Sequence, residues 1–102
     1  MGSMPAQEQI PLNHNTASNR FEIGSGPDLA VLEYLDQGDT LVFIHTEVPP
    51  ALEGRGLGSR LARAGLEYAR AQKKKVVPLC WFVRGYIERH PEYQDLLENR
   101  QD

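Results

Sequence analysis

The stretch from Thr40 to Gln72 constrains this chain most, because its hydrophobic period changes once, across a cluster of glycines. Leu41-Val42-Phe43-Ile44 is an unbroken apolar run, the pattern of a strand covered on both faces. Pro49-Pro50 stops that strand, since neither residue can donate a ladder hydrogen bond. From Leu57 the period is helical. Leu57, Leu61, Ala64, Gly65 and Tyr68 share one face, and Arg60, Arg63, Glu67 and Arg70 the other. Between the two lies Glu53-Gly54-Arg55-Gly56-Leu57-Gly58-Ser59. A turn at a helix start offers free backbone N–H groups to an anion, and a Cβ would hold the backbone away from a phosphate. The segment therefore reads as a strand, a turn and a helix built around a pyrophosphate, with Arg55 adding charge at the rim. The plain alternative is a flexible turn that happens to contain glycines; the strand before and the helix after favour the phosphate.

Two familiar phosphate-binding turns do not fit. The mononucleotide loop needs Gly-Lys-Ser/Thr, and this chain has Gly58-Ser59-Arg60. The dinucleotide fold puts its turn after the first of many parallel strands, and this chain is too short and begins with antiparallel ones.

Upstream, Arg20-Phe21-Glu22-Ile23 alternates as a half-buried strand, and Gly24 to Pro27 ends it in a turn. Leu29 to Leu35 reads as a second strand, and Asp36-Gln37-Gly38-Asp39 as a hairpin turn into Thr40–Val48. This gives an antiparallel meander of three strands. Downstream, Lys75 to Val83 reads as a fourth strand, parallel to Thr40–Val48 through a right-handed crossover. Pro78 requires that strand to be an edge, a bulge or splayed from its neighbour. Val83 to Arg89 reads as a short helix stopped by Pro91, and Glu92 to Leu97 as a final turn or helix. Arg63 and Glu67 are spaced for an i,i+4 ion pair.

The bulk numbers limit the function classes. A chain of 102 residues makes one small domain, and 40% apolar with 25% charged residues is a globular balance. A net charge of −3 leaves no basic field for nucleic acid. Lys73-Lys74-Lys75 falls at the helix end, where cations complement the dipole. The single cysteine, Cys80, excludes an internal disulfide and a Cys-rich zinc site. No apolar run reaches the roughly 20 residues of a membrane span, and nothing resembles a signal peptide, so a cytoplasmic protein is expected. Residues 1–11 mix Gly, Ser, Pro and Gln without periodicity and are expected to be disordered; Met1-Gly2-Ser3 has the composition of a cloning scar ahead of a natural start at Met4.

The strand, glycine turn and helix resemble the GNAT superfamily of acyl-CoA-dependent N-acetyltransferases, whose signature turn is Gln/Arg-x-x-Gly-x-Gly/Ala. Gly56 and Gly58 match its small positions, while Glu53 stands where Gln or Arg is usual. The chain is most similar to the short YjdJ-type subfamily. That likeness is carried by Arg20-Phe21-Glu22, His45-Thr46-Glu47-Val48-Pro49, Glu53-Gly54-Arg55-Gly56, Val77-Pro78-Leu79-Cys80, Tyr86 and His90-Pro91-Glu92-Tyr93. The resemblance implies a minimal α/β GNAT-like fold over residues 12–98, with 99–102 as a tail. In it the three-strand meander leads to a β-α-β crossover whose parallel strands splay apart around coenzyme A, and short helices follow. It implies acetyl-CoA as co-substrate, held by Val48 and by Glu53, Gly54, Arg55, Gly56, Leu57, Gly58 and Ser59, with no metal. The helices usually inserted after the first strand are missing, which implies an open acceptor site or one completed by a second subunit. The acceptor is then an amine on a small molecule or a protein.

Amide formation from a thioester needs a neutral amine, a stabilised oxyanion and a proton for the departing thiolate. A backbone N–H near Val48, at the strand end, is placed to polarise the thioester carbonyl. Tyr86 matches the position of the tyrosine that many members of the superfamily use as general acid, and a tyrosine is protonated at neutral pH. His45 and Glu47 share one side of their strand by period two and are candidates for an acid–base pair. Cys80 opens a second route, through an acetyl-cysteine. Each has a plain counterpart: a packed tyrosine, a hydrogen-bonded pair at a sheet end, an inert buried thiol. His90 and Glu92 supply too few ligands for a metal. Two rivals to the enzyme stand beside it, a coenzyme A-binding module without catalysis and an interaction protein whose turn binds nothing.

Overall fold

The computed structural model describes residues 10–98. The sequence-based segments 1–11 and 99–102 fall outside that range, apart from Ile10 and Pro11; Ile10 packs against the core. Five strands form one sheet in sequential order: β1 (Leu12–Asn15), β2 (Arg20–Ser25), β3 (Asp28–Asp36), β4 (Thr40–Glu47) and β5 (Lys75–Pro78). The first four are antiparallel and β5 runs parallel to β4. Helix α1 (Leu57–Ala71) makes the crossover between β4 and β5, and α2 (Trp81–Arg89) follows β5. Short 3-10 turns occupy Thr16–Ser18, Pro50–Leu52 and Pro91–Leu96.

The meander therefore has four strands, not the expected three. Leu-Asn-His-Asn of β1 lacks an apolar alternation, yet its register places His14 opposite Phe21 on the helix side of the sheet. Helix α1 covers that side. Its Leu57, Leu61, Ala62, Leu66 and Ala69 pack on Phe21, Ile23, Leu32, Tyr34, Leu41, Phe43 and Val76, all buried. The buried stripe is rotated slightly from the one read in the sequence: Ala62, Leu66 and Ala69 replace Ala64 and Tyr68, which are half-buried. Gly65 lets the helix approach, since a Cβ there would stand 2.8 Å from the Phe43 ring. Glu67 is engaged by the Tyr93 hydroxyl, which donates to Oε2 at 2.6 Å.

Strand β5 is shorter than expected. It ends at Pro78, and Trp81 to Val83 are helical, because helical spacing buries Val83, Tyr86 and Ile87 against the core. The proline is tolerated because β5 is the sheet edge. Lys75 N–H donates inward to Asp39 O at 2.8 Å, so the backbone groups of Val76 and Pro78 point outward. The outward carbonyl of Val76 accepts from Glu98 N–H at 3.0 Å, and Pro78 has no N–H to leave exposed.

One irregularity positions the site. Glu33 faces His45 and Tyr34 faces Phe43, so Ile44 has no partner on β3 and forms a β-bulge in β4. Pairing with β5 reaches only Phe43↔Pro78, while β4 continues to Glu47. The two parallel strands separate at that point, as the splayed fold requires.

Candidate functional site

A cleft of about 500 Å³ opens where β4 and β5 part. One wall is Ile44, His45 and Thr46 from the end of β4 with Val48 just beyond it; the other is Leu79, Cys80, Trp81 and Phe82 from the turn into α2; Glu53 also lines the cleft. Cys80 N–H donates to Phe43 O at 2.9 Å, the last backbone tie before the gap.

The glycine turn borders this cleft, and its glycines serve different ends. Gly54 (φ +84°) and Gly56 (φ +71°) adopt the left-handed conformation that other residues reach only with strain, although space around both is open. Gly58 lies inside α1, and a Cβ there would meet the Phe82 ring at 2.7 Å, so its smallness seats an aromatic side chain of the opposite wall. Gly56 caps α1 without a side-chain hydrogen bond, and the helical ladder begins with Arg60 N–H donating to Gly56 O at 3.1 Å. The N–H groups of Leu57, Gly58 and Ser59 precede that ladder and face outward from the helix start, which suits a pyrophosphate. Arg55 and Ser59 are exposed on the same turn. The donor set thus fits coenzyme A. Glu53 is the discordant member, a carboxylate at the cleft where the superfamily pattern has Gln or Arg.

The candidate catalytic residues separate. His45 Nε2 and Glu47 Oε1 are 3.3 Å apart, both exposed. The bulge decides their side: without it, odd-numbered β4 residues after Phe43 would all lie under α1, whereas here Thr46 takes that side opposite Leu32, and His45 and Glu47 turn to the open face. Cys80 is buried, as the N-cap of α2 and not on a strand as the sequence implied. Its Sγ lies 3.1 Å from Thr46 Oγ1, a contact that spans the two walls. Tyr86 is elsewhere. Its ring is stacked on His90 at 4.1 Å, next to Tyr93 at 6.1 Å, and it is not among the side chains that line the cleft. Burial raises the Tyr86 hydroxyl above its ordinary pKa of 10.0. His90 Nδ1 and Glu92 Oε2 are 3.9 Å apart, and among the described residues no three metal-ligating side chains converge.

Thr46, Trp81 and Phe82 line the site but were not singled out from the sequence. Thr46 was masked by period two, which the bulge resets. Trp81 and Phe82 looked like strand residues.

Comparison with known proteins agrees with this geometry. The profile of the GCN5-related N-acetyl-transferase family matches residues 20–96. Protein NATD1 of Xenopus tropicalis is 31% identical over 94 residues, covering 89% of this chain and 86% of that protein. Protein NATD1 of Homo sapiens is also 31% identical, with 89% and 83% covered. The solution structure of a GCN5-like protein from Staphylococcus aureus superposes with a TM-score of 0.71 at 27% identity, covering 90% of this chain and 91% of that one. With its splayed five-stranded sheet and a profile match across most of its length, the chain belongs to the GCN5-related N-acetyl-transferase family.

Proposed function

We propose that the cleft binds acetyl-CoA and that the protein transfers the acetyl group to an acceptor amine by direct attack, as a member of the short YjdJ-type group. The observation that carries this reading is the meeting of two features at one cleft: the uncapped start of α1 and the parting of β4 from β5. Acetyl-CoA, when bound, would supply the acetyl group as an activated thioester, with coenzyme A as the leaving thiol. Leu57, Gly58 and Ser59 offer backbone N–H groups to its pyrophosphate, and Arg55 adds charge at the rim. Val48, just beyond the end of β4, directs backbone toward the thioester carbonyl.

An aliphatic amine arrives protonated, about 3 pH units below its pKa, so a proton must leave before attack. The His45–Glu47 pair stands on the open face of β4 beside the cleft and takes that proton. Tyr86 has the protonation state of an acid but stacks outside the cleft; we assign it to packing of α2, and the departing thiolate takes its proton from water at the open mouth. Cys80 is hydrogen-bonded to a hydroxyl and not to a cation or a base, which favours direct attack over an acetyl-cysteine.

The placement of Tyr86 and the carboxylate of Glu53 also favour a second reading, a coenzyme A-binding module without turnover. Calorimetry with acetyl-CoA tests the binding reading, and no heat at millimolar ligand sinks it. Turnover with a panel of amines then separates enzyme from module. Direct attack predicts that Cys80→Ala and Tyr86→Phe keep turnover while His45→Ala loses most of it.

A further inference from the structure

Trp81 is the only tryptophan of the chain, and at 77% exposure it is the most exposed large apolar side chain among the described residues. Helix α2 does not need it for packing, since Val83, Tyr86 and Ile87 form the buried stripe and Trp81 points away from it. The indole nevertheless has a defined seat. It packs edge-on against Phe82, with centroids 6.0 Å apart and planes at 74°. Phe82 in turn rests on Gly58 in the first turn of α1. A continuous line of contacts therefore leads from the anion-binding helix start, through one aromatic ring, to a second ring at the cleft rim.

A ligand anchored by a pyrophosphate at Leu57–Ser59 and carrying a flat aromatic group a short linker away would set that group beside Trp81. Coenzyme A has such a group on the far side of its pyrophosphate from the thioester: the purine of its adenosine. We propose that Trp81 is the platform on which this purine stacks, an inference that rests on the coenzyme A reading of the cleft. Stacking on an exposed indole face is sequence-tolerant and needs no hydrogen bonds, and it gives a reason to keep a large aromatic residue in water. The pantetheine arm is left to the inner cleft, beside the Thr46–Cys80 contact.

Because the chain has one tryptophan, its emission reports this position alone. The full chain is titrated with coenzyme A, with adenosine 3′,5′-bisphosphate and with pantetheine, following fluorescence and heat. Coenzyme A and the bisphosphate are expected to quench the emission, and pantetheine to leave it unchanged. Trp81→Ala should weaken coenzyme A about ten-fold by calorimetry, and Trp81→Phe should recover most of the loss. The proposal is overturned if coenzyme A binds the native chain without quenching, if pantetheine quenches as coenzyme A does, or if Trp81→Ala binds like the native chain. Absence of any heat with the native chain overturns the coenzyme A reading and this one together.

Discussion

Gly58 lies under the ring of Phe82 so closely that a Cβ on the glycine would stand 2.7 Å from Cζ of the ring. This contact joins the first turn of α1 to the start of α2, so the helix start after the glycine turn packs directly on one wall of the cleft. The backbone of Gly58 is helical, so only the neighbouring ring requires glycine here.

Replacing Gly58 by Ala should consequently separate stability from binding. Alanine gains about 1 kcal/mol of helix propensity, which offsets the displacement of a half-buried ring. The ring also lines the cleft, so displacing it alters the site. We expect a Tm within about 4 °C of the parent and acetyl-CoA affinity several-fold weaker. Adding Phe82→Leu to the variant should restore part of the affinity. A large loss of Tm with unchanged affinity would show that the contact serves packing alone.

Gly65 offers the contrast. A Cβ there would meet Phe43 at 2.8 and 2.9 Å and Leu32 at 3.1 Å, and both neighbours are fully buried. Neither can swing into solvent, so Gly65→Ala must lift the helix from the sheet or force strained rotamers. Overpacking of this kind costs about 1–3 kcal/mol, more than the propensity gain. Urea unfolding should show a lower midpoint with an unchanged slope; a midpoint at or above that of the parent would refute the close approach.

The elements with strong periodic signals were legible in the sequence. Strands β2 to β4, helix α1 and the glycine turn follow from alternation, an unbroken apolar run and a change of period, and the pairing of His45 with Glu47 follows from period two. The bulge at Ile44 was not legible, because Leu41 to Ile44 are all apolar and nothing marks which residue lacks a partner. That single residue decides which face His45, Thr46 and Glu47 occupy. The end of β5 is hidden for a related reason: Trp81-Phe82-Val83 has strand composition, but the helical spacing of Val83, Tyr86 and Ile87 decides the outcome. The surroundings of Tyr86 were not legible either, since a matching position in a pattern does not tell that the ring stacks on His90.

Tyr93 fastens the C-terminal turn to α1. Its hydroxyl donates to Glu67 at 2.6 Å, and nearby Arg70 reaches Asp95 and the Glu92 carbonyl. Tyr93→Phe should cost about 1–2 kcal/mol, the range for a hydrogen bond to a charged group that water partly replaces. Burial first, then the bond to Glu67 and its charge, push the Tyr93 pKa from 10.0 up to about 12. The folded state keeps a proton that the unfolded chain gives up near pH 10, so this stabilisation is complete below pH 10 and is lost as pH rises toward 12. The difference between parent and Phe variant, measured by denaturant titration, should hold to about pH 10 and shrink above it. A difference independent of alkaline pH would count against the bond.

His14 makes the opposite test, on the acid side. It anchors the edge strand β1: Nε2 is 2.7 Å from the Tyr34 hydroxyl, the ring stacks on Phe21 at 4.0 Å, and Tyr68 meets it edge-on at 4.5 Å. Burial among these rings lowers its pKa below 6.5. The unfolded chain therefore binds a proton that the folded state refuses, and stability present above pH 6.5 is lost as pH falls through the folded value. Glu22, Asp36 and Asp95 also favour the folded state by lowered pKa values. Their ordinary values of 4.5 and 3.8 confine those losses to lower pH. Between about pH 7.5 and 5 the His14 contribution is thus isolated from theirs. His14→Phe keeps the stack on Phe21 and removes the titration. Its Tm should fall less over that interval than the parent's, and the protection of the Leu12–Asn15 amides, taken relative to their intrinsic exchange rates at each pH, should drop in the parent but not in the variant. Equal falls in Tm would mean that β1 is held by its backbone ladder and that the imidazole adds nothing.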